Sequence, residues 1–218
     1  MSMTRLVILA NSSKLNHRCL AGIELDTGSW VRPVSNFEGG AVPLTMMRIN
    51  NRFPELLDIL DIPLDETGPD FDFESENRTI LPGEWNFRGK ADVNVVLKYA
   101  EQPMYVLHNH KKYCTLQEMQ EKPLEQRKTL QLIRVEDFQV RDKRSTAADK
   151  HDWKGVIWSG DREIEVGITD PVFIQRLNTG HTPSQNSLLT MSLSLPYPPP
   201  GWEGSPPCWK LIAGVIEL

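Results

Sequence analysis

Hydrophobic and polar positions alternate along this chain in short bursts rather than in long stripes. Residues 4–10, 18–25 and 30–35 are rich in aliphatic, β-branched and aromatic side chains, and Asn/Ser/Lys and Asp-Thr-Gly-Ser clusters separate them. Such runs predict three antiparallel strands. Residues 59–64 predict another, with Pro63 at an edge or strand end, and 78–81 and 84–87 are short extended pieces split by Pro82-Gly83. One or two helical turns are expected within 43–52. Val93, Val96, Leu97 and Ala100 fall at helical spacing with Pro103 as a stop, which predicts a helix over 91–100. Residues 105–107 read as extended, and 115–128 as helix-forming but broken by Pro123. Strand character returns at 131–135, 138–141, 153–158 and 162–168, the last two joined by a turn at Ser159-Gly160-Asp161. A turn or helix at 171–177 follows. Residues 188–195 place Leu189, Met191, Leu193 and Leu195 on one face and Thr190, Ser192 and Ser194 on the other. A Pro/Gly loop at 196–207 leads to a closing strand at 208–216.

The two halves share a rhythm of short strands around a longer polar excursion, which predicts a mainly β protein of two small OB-like barrels. The expected division is 1–100 for the first barrel, 101–128 for a partly helical connector and 129–218 for the second. Periodicity alone leaves OB, SH3-like and split-sandwich topologies open.

The 218 residues are long enough for either one large or two small cores. No apolar run approaches bilayer length, and no leader pattern precedes the first strand, so a cytoplasmic protein without membrane association is expected. Three widely spaced cysteines, Cys19, Cys114 and Cys208, fit reduced thiols better than a disulfide framework. The net charge of −5 argues against affinity resting on general phosphate attraction. Its distribution changes that picture: residues 1–54, 55–76, 77–150 and 151–218 carry +3, −9, +4 and −3. Outside one acidic segment the chain is mildly basic, which leaves room for a local anion-binding face.

Candidate chemistry concentrates near the N-terminus. Asn11, Ser13, Lys14, Arg18, Trp30 and Arg32 put donors and one large ring on a small predicted sheet. Trp30 and Arg32 lie two apart and share a strand face, which suits base stacking beside a guanidinium. The plain alternatives are a core tryptophan with Arg32 at its rim, and a polar turn at 11–14. His108, His110 and Cys114 invite a metal hypothesis, but no fourth ligand and no C-x2-C pair accompany them, so no metal and no cofactor is expected. Basic clusters at 111–112, 127–128 and 141–144 read singly as solvated surface. Segment 55–76, bounded by Glu55 and Glu76, reads as an exposed insertion, in which Asp70-Phe71-Asp72-Phe73-Glu74 mixes aromatics into the acids and suits protein docking. P-loop, dinucleotide, HExxH and GxSxG motifs are missing, which favours binding over catalysis.

The opening Ala10-Asn11-Ser12-Ser13-Lys14, Arg18-Cys19-Leu20-Ala21-Gly22 and Trp30-Val31-Arg32-Pro33-Val34-Ser35 resemble the start of the dual OB-fold domain family. Met191 to Tyr197 and Lys210 to Ile216 resemble its end. The resemblance implies two tandem OB barrels in a bacterial protein, inferred binding rather than established catalysis, and a place in nucleic-acid-centred defence or conflict systems. Together these readings predict a non-enzymatic module for single-stranded or structured RNA or DNA. The alternatives are a protein-interaction adaptor using 55–76 and a small-nucleotide sensor.

Overall fold

The computed structural model describes residues 3–14, 17–144 and 151–218; of Lys14 it describes the backbone alone. The chain divides into two compact units, residues 1–99 and 100–218. Each is built on a β-sheet, and the protein is mainly β, as the pattern predicts.

The first unit contains β1 (Met3–Lys14), β2 (His17–Glu24), β3 (Trp30–Val34), β4 (Asp58–Pro63), β5 (Asn77–Thr79) and β6 (Asn86–Lys90), followed by the short helix α1 (Val93–Leu97). The strand order is β5-β3-β2-β1-β4-β6. Asp92 caps α1 by accepting from the backbone N–H of Asn94 at 2.8 Å. A bulge between Ile8 and Ala10 resets the β1–β2 register, so that Ile8 faces Gly22, Asn11 faces Leu20 and Ser13 faces Arg18. Paired residues share a sheet face. One face therefore carries Leu6, Ile8, Asn11 and Ser13 of β1 with Arg18, Leu20 and Gly22 of β2. Leu6, Ile8 and Leu20 join Val31, Leu60, Ile62 and others in an apolar core. The other face carries Cys19, Ala21 and Ile23, and Trp30 pairs with Ile23.

The expected helical turns at 43–52 are instead a turn followed by a tight hairpin. Ile49 and Arg52 exchange both backbone hydrogen bonds at 2.9 Å, with Asn50 and Asn51 between them at φ 47° and 70°. Asparagine tolerates this left-handed geometry better than most side chains.

The acidic segment 55–76 is not simply an exposed insertion. Asp58 and Asp61 sit on β4 at 1% and 5% exposure, where Arg52 holds the first and Arg5 and Arg88 the second. Phe73, Glu74 and Glu76 are also internal. Asp58, Asp61, Glu74 and Glu76 are covered because basic side chains from the same unit pair with them.

The second unit contains β7 (Tyr113–Thr115), α2 (Leu116–Gln120), β8 (Leu130–Val135), β9 (Gln139–Asp142), β10 (Trp153–Ser159), β11 (Arg162–Ile168), α3 (Pro171–Asn178), β12 (Ser187–Leu193) and β13 (Pro207–Glu217). Its order is β8-β12-β13-β11-β10-β9, with β7 pairing β13. Residues 101–128, expected as a connector, belong to this unit: Glu101 bridges Ile133, and β7 joins the sheet. Helix α2 is five residues long, started by a capping box between Thr115 and Glu118. β12 lies between β8 and β13, so Thr190 and Ser192 are buried along with the aliphatic face. The expected extended piece at 105–107 is a turn, with Leu107 and His108 both left-handed at φ 43° and 81°.

A candidate nucleic-acid interface on the first unit

Of the six residues singled out from the sequence, the five whose side chains are described do not converge. Asn11, Ser13 and Arg18 lie on the core side of the sheet, at its outer end, where the Arg18 guanidinium donates to Ser13 Oγ at 2.8 Å. The Asn11 amide donates to the Pro54 carbonyl at 2.6 Å. The side chain of Lys14 lies outside the described residues. Trp30, half-buried, and Arg32 occupy the opposite face.

Arg32 is the clearest departure. Its side chain is 2% exposed and pairs with Glu74 and, at 2.9 Å, with Glu76, while Asn77 donates to Glu74 at 2.6 Å. Burial pulls the guanidinium's pKa down, but the two carboxylates outweigh it and raise the value overall. A cation sealed between two internal acids is a structural element, not a phosphate contact. The sequence could not show this because both acids lie more than forty residues away.

The metal reading of His108, His110 and Cys114 finds no convergent geometry among the described residues. Cys114 donates its thiol to the Leu107 carbonyl at 3.2 Å, and burial pushes its pKa up to about 11. His108 Nε2 meets the Lys128 carbonyl at 2.7 Å, so this nitrogen carries the proton. Burial first, and then nearby lysines, lower the His108 pKa.

A different site emerges in the first unit. Ile49, Ile80 and Trp85 of the apolar core form the floor of a cavity of about 650 Å³. Its walls come from three separate segments: the loop after β3, the turn-and-hairpin at 44–52, and the Pro82-Gly83 loop between β5 and β6. Hydrogen bonds from Ile80 N to the Val34 carbonyl and from Leu81 N to the Pro63 carbonyl, both 2.9 Å, fix the last segment against the sheet. Polar lining groups include Asn36, Arg48, Asn50 and Glu84.

Electrostatics distinguish Arg48 from its neighbours. Arg5, Arg52, Arg78, Arg88 and Lys90 all pair with carboxylates. Arg48 instead reaches only the Asn51 side-chain oxygen, and Arg18 only Ser13, among the described residues. An exposed guanidinium without a carboxylate keeps its full attraction for an outside anion. Trp85 is 7% exposed, and its indole N–H has no hydrogen-bond partner among the described residues. These groups were missed by sequence reasoning because they are spread over three loops; Asn50-Asn51 was a readable hairpin signal.

Two sheet-based units, the first with a largely polar-rimmed cavity over an apolar floor, suit a protein of the OB-containing class. The chain belongs to the dual OB-containing domain family, whose model matches residues 4–215. Comparison with curated proteins and with solved structures gave no match. The resemblance read from the two ends is thus borne out over nearly the whole chain. No helix among the described residues is long and apolar enough to cross a membrane.

Proposed function

We propose that this protein is a non-catalytic module that binds single-stranded nucleic acid through the cavity-bearing side of its first unit. The observation that carries this reading is Arg48, without a carboxylate partner among the described residues, at a cavity floored by an indole. OB folds hold single strands by combining aromatic floors with a few cations. Arg18, on the same sheet face as the core from which the cavity opens, is a second phosphate contact. Affinity is modest because the net charge is −5 and attraction is local.

The test is fluorescence anisotropy with labelled single-stranded DNA and RNA at several salt concentrations. Arg48→Ala is expected to weaken binding about tenfold and to reduce the salt slope by about one; Arg18→Ala acts in the same direction with a smaller loss. Wild-type protein that fails to bind at low salt, or an Arg48→Ala variant with unchanged affinity, ends this reading. The adaptor reading through 55–76 loses support, since Asp58, Asp61, Glu74 and Glu76 are occupied internally.

A further inference from the structure

We propose that the cavity of the first unit accepts one guanine nucleotide. Its phosphate would lie on Arg48, its base over Ile80 and Trp85, and the N1–H and N2–H edge of the base on the Glu84 carboxylate. The oligonucleotide form of this proposal rests on the reading above; the free-nucleotide form stands without it.

Size comes first. A cavity of about 650 Å³ lies within the range that holds small ligands, and it is larger than a bare ion needs. The floor comes next. The Trp85 ring is more than nine-tenths buried and lines the cavity, yet its N–H has no acceptor among the described residues. Water reaches this N–H, and an acceptor entering the cavity would take that water's place. Guanine O6 and N7, ribose oxygens and phosphate oxygens are all acceptors.

The rim then selects the ligand. Arg48 and Glu84 both line the cavity, and neither holds an ion pair among the described residues. Their ligand must therefore present an anionic group and a donor edge. Guanine offers two parallel N–H donors, which match a carboxylate's two oxygens. Adenine and cytosine each set one amino donor beside a ring-nitrogen lone pair, which a carboxylate repels. Uracil and thymine set one N–H between two carbonyls. Asn50 is held in its left-handed turn by the reciprocal Ile49–Arg52 bonds, so one wall is fixed before the ligand arrives.

The experiment is isothermal titration of the full chain with GMP, AMP, CMP, UMP and guanosine, repeated on Glu84→Gln and Arg48→Ala. Matched oligonucleotides with and without guanine are titrated in parallel. Both substituted residues are exposed, and circular dichroism confirms that each variant is folded. Wild-type protein is expected to favour GMP about tenfold over the other nucleotides, the discrimination typical of one good bidentate contact. Glu84→Gln should bring GMP down to the level of AMP. Arg48→Ala should make GMP no better than guanosine. Equal affinity for the four nucleotides, or a guanine preference that survives Glu84→Gln, overturns the proposal. Oligonucleotide binding that is blind to guanine overturns it while leaving the broader reading intact. GMP binding without oligonucleotide binding supports the cavity assignment and overturns the nucleic-acid reading. Binding of neither overturns both.

Discussion

Among the described residues each unit seals one long cation inside, and the two do so in opposite ways. Arg32 on β3 meets two carboxylates, Glu74 and Glu76, together with Asn77. Lys210 on β13, 1% exposed, meets only neutral oxygens among the described residues: the Val106 and Asn109 carbonyls at 2.6 Å and Asn109 Oδ1 at 3.0 Å. A planar guanidinium can fork between two acids, whereas an ammonium suits three acceptors converging on a point. The consequences differ. Opposing charge keeps Arg32 protonated, while burial draws Lys210 down to about 8, with Cys114 and Glu118 countering in part. A buried cation is indifferent to pH when its counter-charge is buried with it, and sensitive when only dipoles surround it.

The neutral arrangement in the second unit has a job. Leu107 and His108 occupy the left-handed region, at roughly 1–3 kcal/mol each for such backbone. Side chains from several strands hold that turn. Ser159 Oγ accepts from Val106 N at 2.9 Å and donates to the Asn109 carbonyl at 2.7 Å, and Gln131 accepts from Leu107 N at 2.9 Å. Lys210 completes the set.

The largest expected effect breaks the charged side of this contrast. Arg32→Met leaves two internal carboxylates facing each other and should cost about 3–5 kcal/mol in urea unfolding. Arg32→Lys should cost less, and adding Glu74→Gln and Glu76→Gln to Arg32→Met should restore part of the loss. Next is Lys210→Met, which strips three hydrogen bonds from the turn; about 2–3 kcal/mol is expected, read as a lower Tm and faster tryptic cleavage after Lys111.

A smaller effect sharpens the contrast through pH. Lys210 releases its proton at about 8 when folded and near 10.4 when unfolded. Between those values the unfolded chain binds more protons, so this group makes stability rise with pH. The wild-type-minus-Lys210→Met difference in unfolding free energy should therefore climb by about 1–3 kcal/mol from pH 8 to 10. Arg32→Met should show no such slope. The smallest effect lies on the acid side. Arg5 and Arg88 hold the Asp61 pKa below the usual carboxylate range, even though burial opposes them. Their contribution is present above about pH 4 and is lost as pH falls through the lowered value. Asp61→Asn should flatten that acid limb in a pH series of thermal melts.

Much of the fold was legible. Alternation located β1 to β3, the β10–β11 hairpin, β12 and β13 within a residue or two, apart from the polar extension of β1 to Lys14, which the apolar pattern did not cover. End motifs were enough to indicate the family. Facing was not legible. Trp30 and Arg32 share a face as period two requires, yet that face is the one lined by Glu74 and Glu76. A single bulge near Leu9 decides which side of the sheet Asn11 and Ser13 join.

By itself the sequence determined where strands begin and end, because turn chemistry and period-two patterning act between neighbours in the chain. Tertiary structure alone decided which charges point inward and which loops surround the cavity. Burial, counter-charge and cavity walls depend on residues tens of positions apart: Arg32 finds its acids only when β5 pairs with β3, and Arg48, Glu84 and Trp85 share a cavity only when three loops meet over one core.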